Sequence, residues 1–197
     1  MALKKQEIIQ DPPLARFLFS DTRLAWVWLP LRIWLGWEWF EAGLHKFSDP
    51  AWMDKGAALQ GFWTKAAAIP ETGKAPVAYD WYRGFLQFLL ESGSAPWFAK
   101  LVVYGELIVG IALIIGAFTG IAAFFGIFMN WHYVMAGAAS TNAMLLVVGL
   151  VLVLAWKTAG WVGADRYLLS VVGTPWQHAP VRIPRVVSDP MEPAHQP

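Results

Sequence analysis

The sequence contains no cysteine among its 197 residues. Disulfide bonds, thiolate metal sites and a cysteine nucleophile are therefore excluded. Charged residues are also scarce, at 15% of the chain, and they nearly cancel to a formal net charge of +1. Because nucleic-acid binding depends on a surplus of positive charge, we expect no nucleic-acid partner.

Apolar residues take the place of the missing charge. They make up 57% of the chain, well above the share typical of a soluble domain. Many of the 13 tryptophans lie near the ends of apolar runs, where amphipathic rings favour the boundary between lipid and water. The composition therefore predicts a membrane protein that has the lipid bilayer as a partner.

Four apolar stretches are long enough to cross the hydrocarbon core of a membrane as helices. They cover residues 24–47, 97–118, 119–138 and 142–159. Small residues recur in the second and third stretches, which favours close packing of helices. The predicted fold is all-α, an integral membrane four-helix bundle within residues 24–172.

The segments between and beyond these spans have different compositions. Residues 48–96 form a loop with two amphipathic stretches, 52–68 and 79–91, which predict helices packed over the mouth of the bundle or serving as a lid. Residues 1–23 lack the uninterrupted apolar core of a signal peptide and predict an N-terminal segment that stays in the cytoplasm. Residues 173–197 contain six prolines and predict an extended tail, disordered or lying on a partner subunit.

The orientation follows from the basic residues. Four spans place both termini on one side, and the flanks on that side carry the clearer excess of Lys and Arg. We therefore expect both termini, including the Pro-rich tail, in the cytoplasm and the loop 48–96 outside it.

Several polar residues interrupt the spans at similar depths. Counting the helical rise places Glu38, Glu106 and Asn130 roughly 10–12 Å below the outer edge. Lys46 lies on a helix face from which it could reach Glu106. Because charges at this depth face inward and pair, we predict one polar pocket that opens outward. Its predicted lining is Glu38, Glu41, His45, Lys46, Glu106, Asn130 and Asn142.

The pocket allows several kinds of chemistry. Glu38, Glu41 and His45 resemble half of a carboxylate metal site, but the other helices offer only one Glu and two amides in place of a matching set, so no metal is predicted. Lys46 and Arg32 could bind an anion. In addition, His132 with its neighbouring aromatic residues could hold a quinone head group. The alternative is structural: ion pairs among Arg32, Lys46 and Glu106, and a hydrogen bond between helices from Asn130.

A set of short motifs, in order along residues 24–169, resembles the DoxX family. The motifs are Arg32-Ile-Trp-Leu-Gly36, Ala42-Gly-Leu-His-Lys-Phe47, Gly105-Glu106-Leu-Ile-Val-Gly110, Met129-Asn130, Ser140-Thr-Asn142 and Gly163-Ala-Asp-Arg-Tyr167. More narrowly, they are similar to the DoxD-like branch, which is related to the membrane subunit of thiosulfate:quinone oxidoreductase.

The resemblance implies a four-helix protein of a prokaryotic cytoplasmic membrane. The positions that match the family pattern are Arg32, Lys46, Glu106, Asn130 and Asn142. Roles for Glu38, Glu41 and His45 depend on helix geometry alone.

Two functions fit these observations. In the first, the chain is a membrane subunit of a quinone-linked oxidoreductase that acts on thiosulfate or a similar small anion, with quinone as cofactor or acceptor. Lys46 and Arg32 would offset the anion's charge, Glu106 and His45 would transfer protons as catalytic residues, and Asn130 and Asn142 would orient the ligand. In the second, the chain is a non-catalytic accessory subunit of a larger respiratory or photosynthetic membrane complex. Both imply other membrane subunits as partners.

Overall fold

The computed structural model describes residues 11–172, and within this range every regular element is helical. A 3₁₀ turn, Thr22–Leu24, precedes the second of ten α-helices. The helices are α1 (Pro13–Ser20), α2 (Ala25–Phe47), α3 (Pro50–Met53), α4 (Ala57–Ala67), α5 (Asp80–Glu91), α6 (Ala95–Ile115), α7 (Thr119–Met135), α8 (Asn142–Leu154), α9 (Trp156–Ala159) and α10 (Asp165–Val172). The all-α prediction is confirmed. Residues 1–10 of the predicted N-terminal segment and the whole Pro-rich tail lie outside the described residues.

Helices α2, α6, α7 and α8 lie over the four apolar stretches of the sequence. Helix α2 packs mainly on α6, and α7 packs mainly on α8, while α6 also contacts α7 and α2 also contacts α8. By length and composition, α6 is the one described helix fit to cross a membrane. Helix α2 is long enough but carries four charged residues, whereas α7 has 17 residues and α8 has 13.

Glycines set the close approach of α2 and α6. A Cβ atom added at Gly110 would lie 2.5 Å from the backbone nitrogen of Phe40, and one at Gly36 would lie 2.9 Å from that of Ile114. Contacts this short have no room for a side chain, so the two backbones touch here. The close packing predicted from the small residues of the second stretch is therefore found at Gly110, where α6 meets α2.

The amphipathic stretches of the loop form helices, as predicted. Helix α5 buries Tyr82, Leu86 and Leu89, and α4 buries Leu59 and Trp63. These side chains form a second apolar core with residues from the beginning of α6 and the end of α7. The pair α4–α5 thus covers one end of the α6–α7 pair.

A buried polar cluster stabilises the opposite end of the α6–α7 pair. Asp165 is fully buried and accepts hydrogen bonds from the backbone N–H groups of Phe118 and Thr119, where α7 begins. Its own N–H donates to the carbonyl of Gly116, the left-handed residue that ends α6. The start of α10 therefore fixes the α6–α7 turn by capping both of its helices.

Candidate functional site

An ion pair between α2 and α6 forms the centre of the site. The Nζ atom of Lys46 lies 2.7 Å from Oε2 and 2.9 Å from Oε1 of Glu106. The hydroxyl of Tyr133, on α7, donates a hydrogen bond to Oε1 of Glu106 at 2.7 Å. The Glu106 side chain is 1% exposed and that of Lys46 is 19% exposed. Three helices therefore meet at one carboxylate, and the predicted contact between Lys46 and Glu106 is present.

Local sequence explains how Lys46 reaches this carboxylate. Gly43 has no room for a Cβ atom, which would lie 2.9 Å from Leu107, so α2 and α6 stay close just before Lys46. The ammonium group also lies over the rings of Trp52 at 5.3 Å and Tyr133 at 5.9 Å, where the ring faces attract a cation. Its place in the last turn of α2 adds a favourable interaction with the helix dipole.

A pocket of about 210 Å³ opens beside the ion pair, which we call the polar pocket. It is lined by Glu38, Trp39, Ala42, Lys46, Glu106, Tyr133, Thr141, Asn142 and Leu145. Its volume suits a small ion. One cation faces two carboxylates, so an anion fits electrostatically when a carboxylate takes up a proton.

The structure brings together four of the seven residues predicted to line this pocket, namely Glu38, Lys46, Glu106 and Asn142. One N–H of the Asn142 amide already donates to the carbonyl of Ala138 at 2.8 Å. Within residues 11–172 this amide has no second hydrogen bond, so its remaining N–H and its oxygen can contact a ligand.

Glu41 and His45 are exposed and do not line the pocket, so this part of the prediction is wrong. The reason is the rotation of α2. Its pocket wall passes through Trp39, Ala42 and Lys46, and at about 100° per residue Glu41 and His45 point to the outer side of that wall.

Asn130 is also absent from the pocket lining. It is fully buried, and neither its Oδ1 nor its Nδ2 atom has a hydrogen-bond partner within the described residues. The Nε1 atom of Trp39 is likewise unpartnered there, and it lies against Gly126, one turn before Asn130. The interhelical hydrogen bond expected from Asn130 is not formed. Buried polar groups of this kind are normally satisfied by water, so we expect an internal water here.

Arg32, predicted to help bind an anion, lies elsewhere. Its guanidinium donates to the carbonyls of Ala159 and Val162, each at 2.9 Å, and interacts with the carboxylate of Asp165. The residue is 2% exposed. Arg32 therefore belongs to the buried polar cluster near the α6–α7 turn, and Lys46 is the only predicted cation at the polar pocket.

A larger cavity, the lateral cleft, runs between α6 and α7. It has a volume of about 1030 Å³ and extends from Phe98 to Ile115 along α6. Gly105, Ala112 and Ala122 leave the space, because short side chains stand where longer ones would fill the groove. No charged residue occurs among the described residues that line it. Sequence reasoning missed this cleft and interpreted its small residues as helix contacts.

Polar groups line the cleft only at the end covered by α5. There the hydroxyl of Tyr82 donates to the carbonyl of His132 at 3.0 Å and lies 3.1 Å from Nδ1 of the same residue. Burial raises the pKa of Tyr82 to about 12, so its hydroxyl keeps its proton at neutral pH. Tyr133 lines both the cleft and the polar pocket, and therefore separates the two cavities.

Fold and site together define a class: an apolar, all-helical protein with a buried ion pair between its long helices. The sequence profile of the DoxX family matches residues 27–138, more than half of the chain, so the chain belongs to this family of membrane proteins. The match includes Arg32, Lys46, Glu106 and Asn130, and ends before Asn142. Comparisons with curated proteins and with solved structures gave no match.

Proposed function

We propose that the chain is a DoxX membrane subunit of a quinone-linked oxidoreductase acting on thiosulfate or a similar small anion. The observation that carries this proposal is the centre formed by Lys46, Glu106 and Tyr133, which lies between a small polar pocket and a long apolar cleft. The polar pocket has the size and polarity that suit a small ion. The lateral cleft has the length and apolar lining that suit a lipid-soluble electron acceptor.

The proposal includes a membrane arrangement. Helices α2, α6, α7 and α8 are the four spans, in a domain of residues 24–172 in a prokaryotic cytoplasmic membrane, with both termini in the cytoplasm. Its support is that the apolar side chains of these helices remain exposed on the outside, while Glu106 and Asn130 face the interior. Charged or polar side chains within spans are expected on the inside.

The charges of the polar pocket determine how an anion would bind. An incoming anion pairs with Lys46 in place of Glu106, and in this proposal the Glu106 carboxylate takes up a proton. The amide of Asn142 orients the anion from α8. Binding is therefore expected to become tighter as the pH falls, by up to about tenfold per pH unit for one coupled proton.

The residues between the two cavities then transfer protons. Oxidation of two thiosulfate ions joins them through a new sulfur–sulfur bond and releases two electrons, which with two protons convert a quinone into a quinol. The proposed role of Glu106 is to hold a proton at its carboxylate. Tyr133, whose hydroxyl donates to Glu106 in this structure, would give its hydroxyl proton to the reduced quinone and regain one from protonated Glu106.

The experiment is an assay of the full chain, purified from membranes with any subunits that stay bound and placed in lipid nanodiscs. Quinone reduction is followed after adding thiosulfate, for wild type, Lys46→Met and Glu106→Gln. Leu150→Ala, on the exposed side of α8, is the control. We expect reduction in wild type and the control, and loss of most of the rate in the two pocket variants. Absence of thiosulfate-dependent reduction in wild type, or full rates in both pocket variants, contradicts the proposal.

A second function is an accessory role in a larger complex. Glu41 and His45 support it, because both are exposed on α2 within a helix that is otherwise apolar on its outer side. A partner subunit could satisfy these groups in place of lipid. Native mass spectrometry after mild extraction tests this function, and a chain that runs alone speaks against it.

A further inference from the structure

We infer that the lateral cleft between α6 and α7 binds a quinone, with the ring at Tyr82 and His132 and the apolar tail along the two helices. This inference rests on the proposed function for the class of ligand. It adds the site, the direction in which the ligand lies and the residues that hold its ring.

The shape of the cleft fits a long, flexible apolar chain. From Phe98 to Ile115 the cleft follows α6 for roughly 25 Å, at about 1.5 Å per residue. Ile108, Ile111 and Ile121 line it and are also exposed, so the cleft is open along its side. A ligand dissolved in the bilayer can therefore enter sideways, without passing through water.

The uncharged lining of the cleft favours a quinone over a phospholipid as its ligand. A phospholipid placed with its acyl chain in the cleft would bring its phosphate to the end near α5, where no cationic side chain occurs among the described lining residues. Burying an unpaired charge is costly, whereas a neutral carbonyl needs only one hydrogen-bond donor. The cleft therefore selects a neutral head group.

Tyr82 and His132 provide that donor. The Tyr82 hydroxyl has one proton and two acceptors within reach, Nδ1 and the carbonyl of His132. When the hydroxyl donates to Nδ1, Nε2 of a neutral imidazole carries the proton and donates to a quinone carbonyl. When the hydroxyl donates to the carbonyl, Nδ1 carries the proton and Nε2 accepts from a quinol hydroxyl. The same pair thus suits both forms of the ligand.

Aromatic side chains surround the position expected for the ring. The His132 imidazole lies 4.6 Å from the Phe128 ring and 6.2 Å from the Phe85 ring, measured between centroids. A flat ligand ring can pack against these faces. Tyr133 lies next along α7 and reaches Glu106, so the ring site is one side chain from the ion pair.

The test is photoaffinity labelling of the full chain in nanodiscs with a long-chain azidoquinone, followed by peptide mass spectrometry. We expect labelled peptides from α5, α6 and α7. Gly105→Phe places a ring in the cleft and is expected to reduce labelling at least about tenfold, since the tail can no longer lie there. Ala112→Phe is a second blocking variant, and Leu150→Phe, on the exposed side of α8, is the control expected to label normally.

The ring contact is tested separately with Tyr82→Phe, which keeps the aromatic ring and removes the hydroxyl. Tyr82→Phe removes the hydroxyl that holds Nδ1 of His132, so Nε2 is no longer fixed towards the ligand, and quinone binding is expected to weaken about fivefold to tenfold. Excess phospholipid should not displace the label, whereas unlabelled quinone should. Labelling that persists in both blocking variants, or that phospholipid displaces as well as quinone does, overturns the inference.

The two proposals fail in different ways. Lys46→Met should lose thiosulfate-dependent reduction but keep quinone labelling, because Lys46 does not line the cleft. If wild type labels in the cleft and shows no reduction with thiosulfate, the proposed reaction is wrong and the quinone site stands. If reduction occurs while labelling falls outside the cleft, the quinone site is wrong and the reaction stands.

Discussion

Removing Lys46 alone should destabilise the protein far more than removing both members of the Lys46–Glu106 pair. In Lys46→Met the Glu106 carboxylate stays 1% exposed and loses its counter-ion, which costs about 3 kcal/mol for a buried charge of this kind. In Glu106→Gln the amide oxygen can still accept from Tyr133, and Lys46 is partly exposed and can turn towards water, so we expect about 1 kcal/mol. In the double variant no unpaired charge is buried, and the loss should remain about 1 kcal/mol.

The measurement is reversible unfolding in mixed micelles, followed by circular dichroism, for wild type, both single variants and the double variant. The two single-variant losses of unfolding free energy, added together, should exceed the loss in the double variant by about 3 kcal/mol. Such a departure from additivity is typical of groups in direct contact. Single effects that add up in the double variant, or a Lys46→Met change below about 0.5 kcal/mol, would refute the argument that this pair stabilises a buried site.

Three further outcomes follow from the structure. Gly110→Ala should destabilise the protein by several kcal/mol, because the new Cβ atom would meet the backbone of α2. Gly61→Ala is the control, since the space around Gly61 is open, and it should be neutral or stabilising by up to about 1 kcal/mol. Thermal unfolding of the two variants and wild type measures both effects. Asp165→Asn should cost about 1–3 kcal/mol by weakening the cap on α7, with the exposed Asp54→Asn as control. Isothermal titration of thiosulfate should show tighter binding at lower pH, and equal affinity from pH 5 to pH 8 would contradict proton-coupled binding.

Much of the fold could be predicted from the sequence because long apolar runs have few alternatives to helix. Helix α2 ends at Phe47, as the first stretch does, and α7 begins at Thr119, as the third does. The contact between Lys46 and Glu106 was also predictable, since helical rotation placed Lys46 on a face of its helix from which it could reach Glu106.

The remaining parts depend on how neighbouring helices are rotated and spaced, which one sequence does not contain. A modest rotation of α2 decides that Ala42 lines the pocket and Glu41 does not. Arg32 finds its partners at Ala159 and Val162, whose carbonyls leave no sign in the side-chain sequence. The cleft arises because α2 and α6 approach closely while α6 and α7 leave a gap, and small residues alone do not distinguish these two results.

The central claim is that Tyr133 connects an anion site with a quinone site. The most direct test is the rate of thiosulfate-dependent quinone reduction by Tyr133→Phe, measured on the same preparation as anion binding and quinone labelling. The account predicts that both ligands still bind and that the rate falls by a factor of about 10² or more, as expected for loss of a positioned proton donor. An unchanged rate in Tyr133→Phe would contradict it.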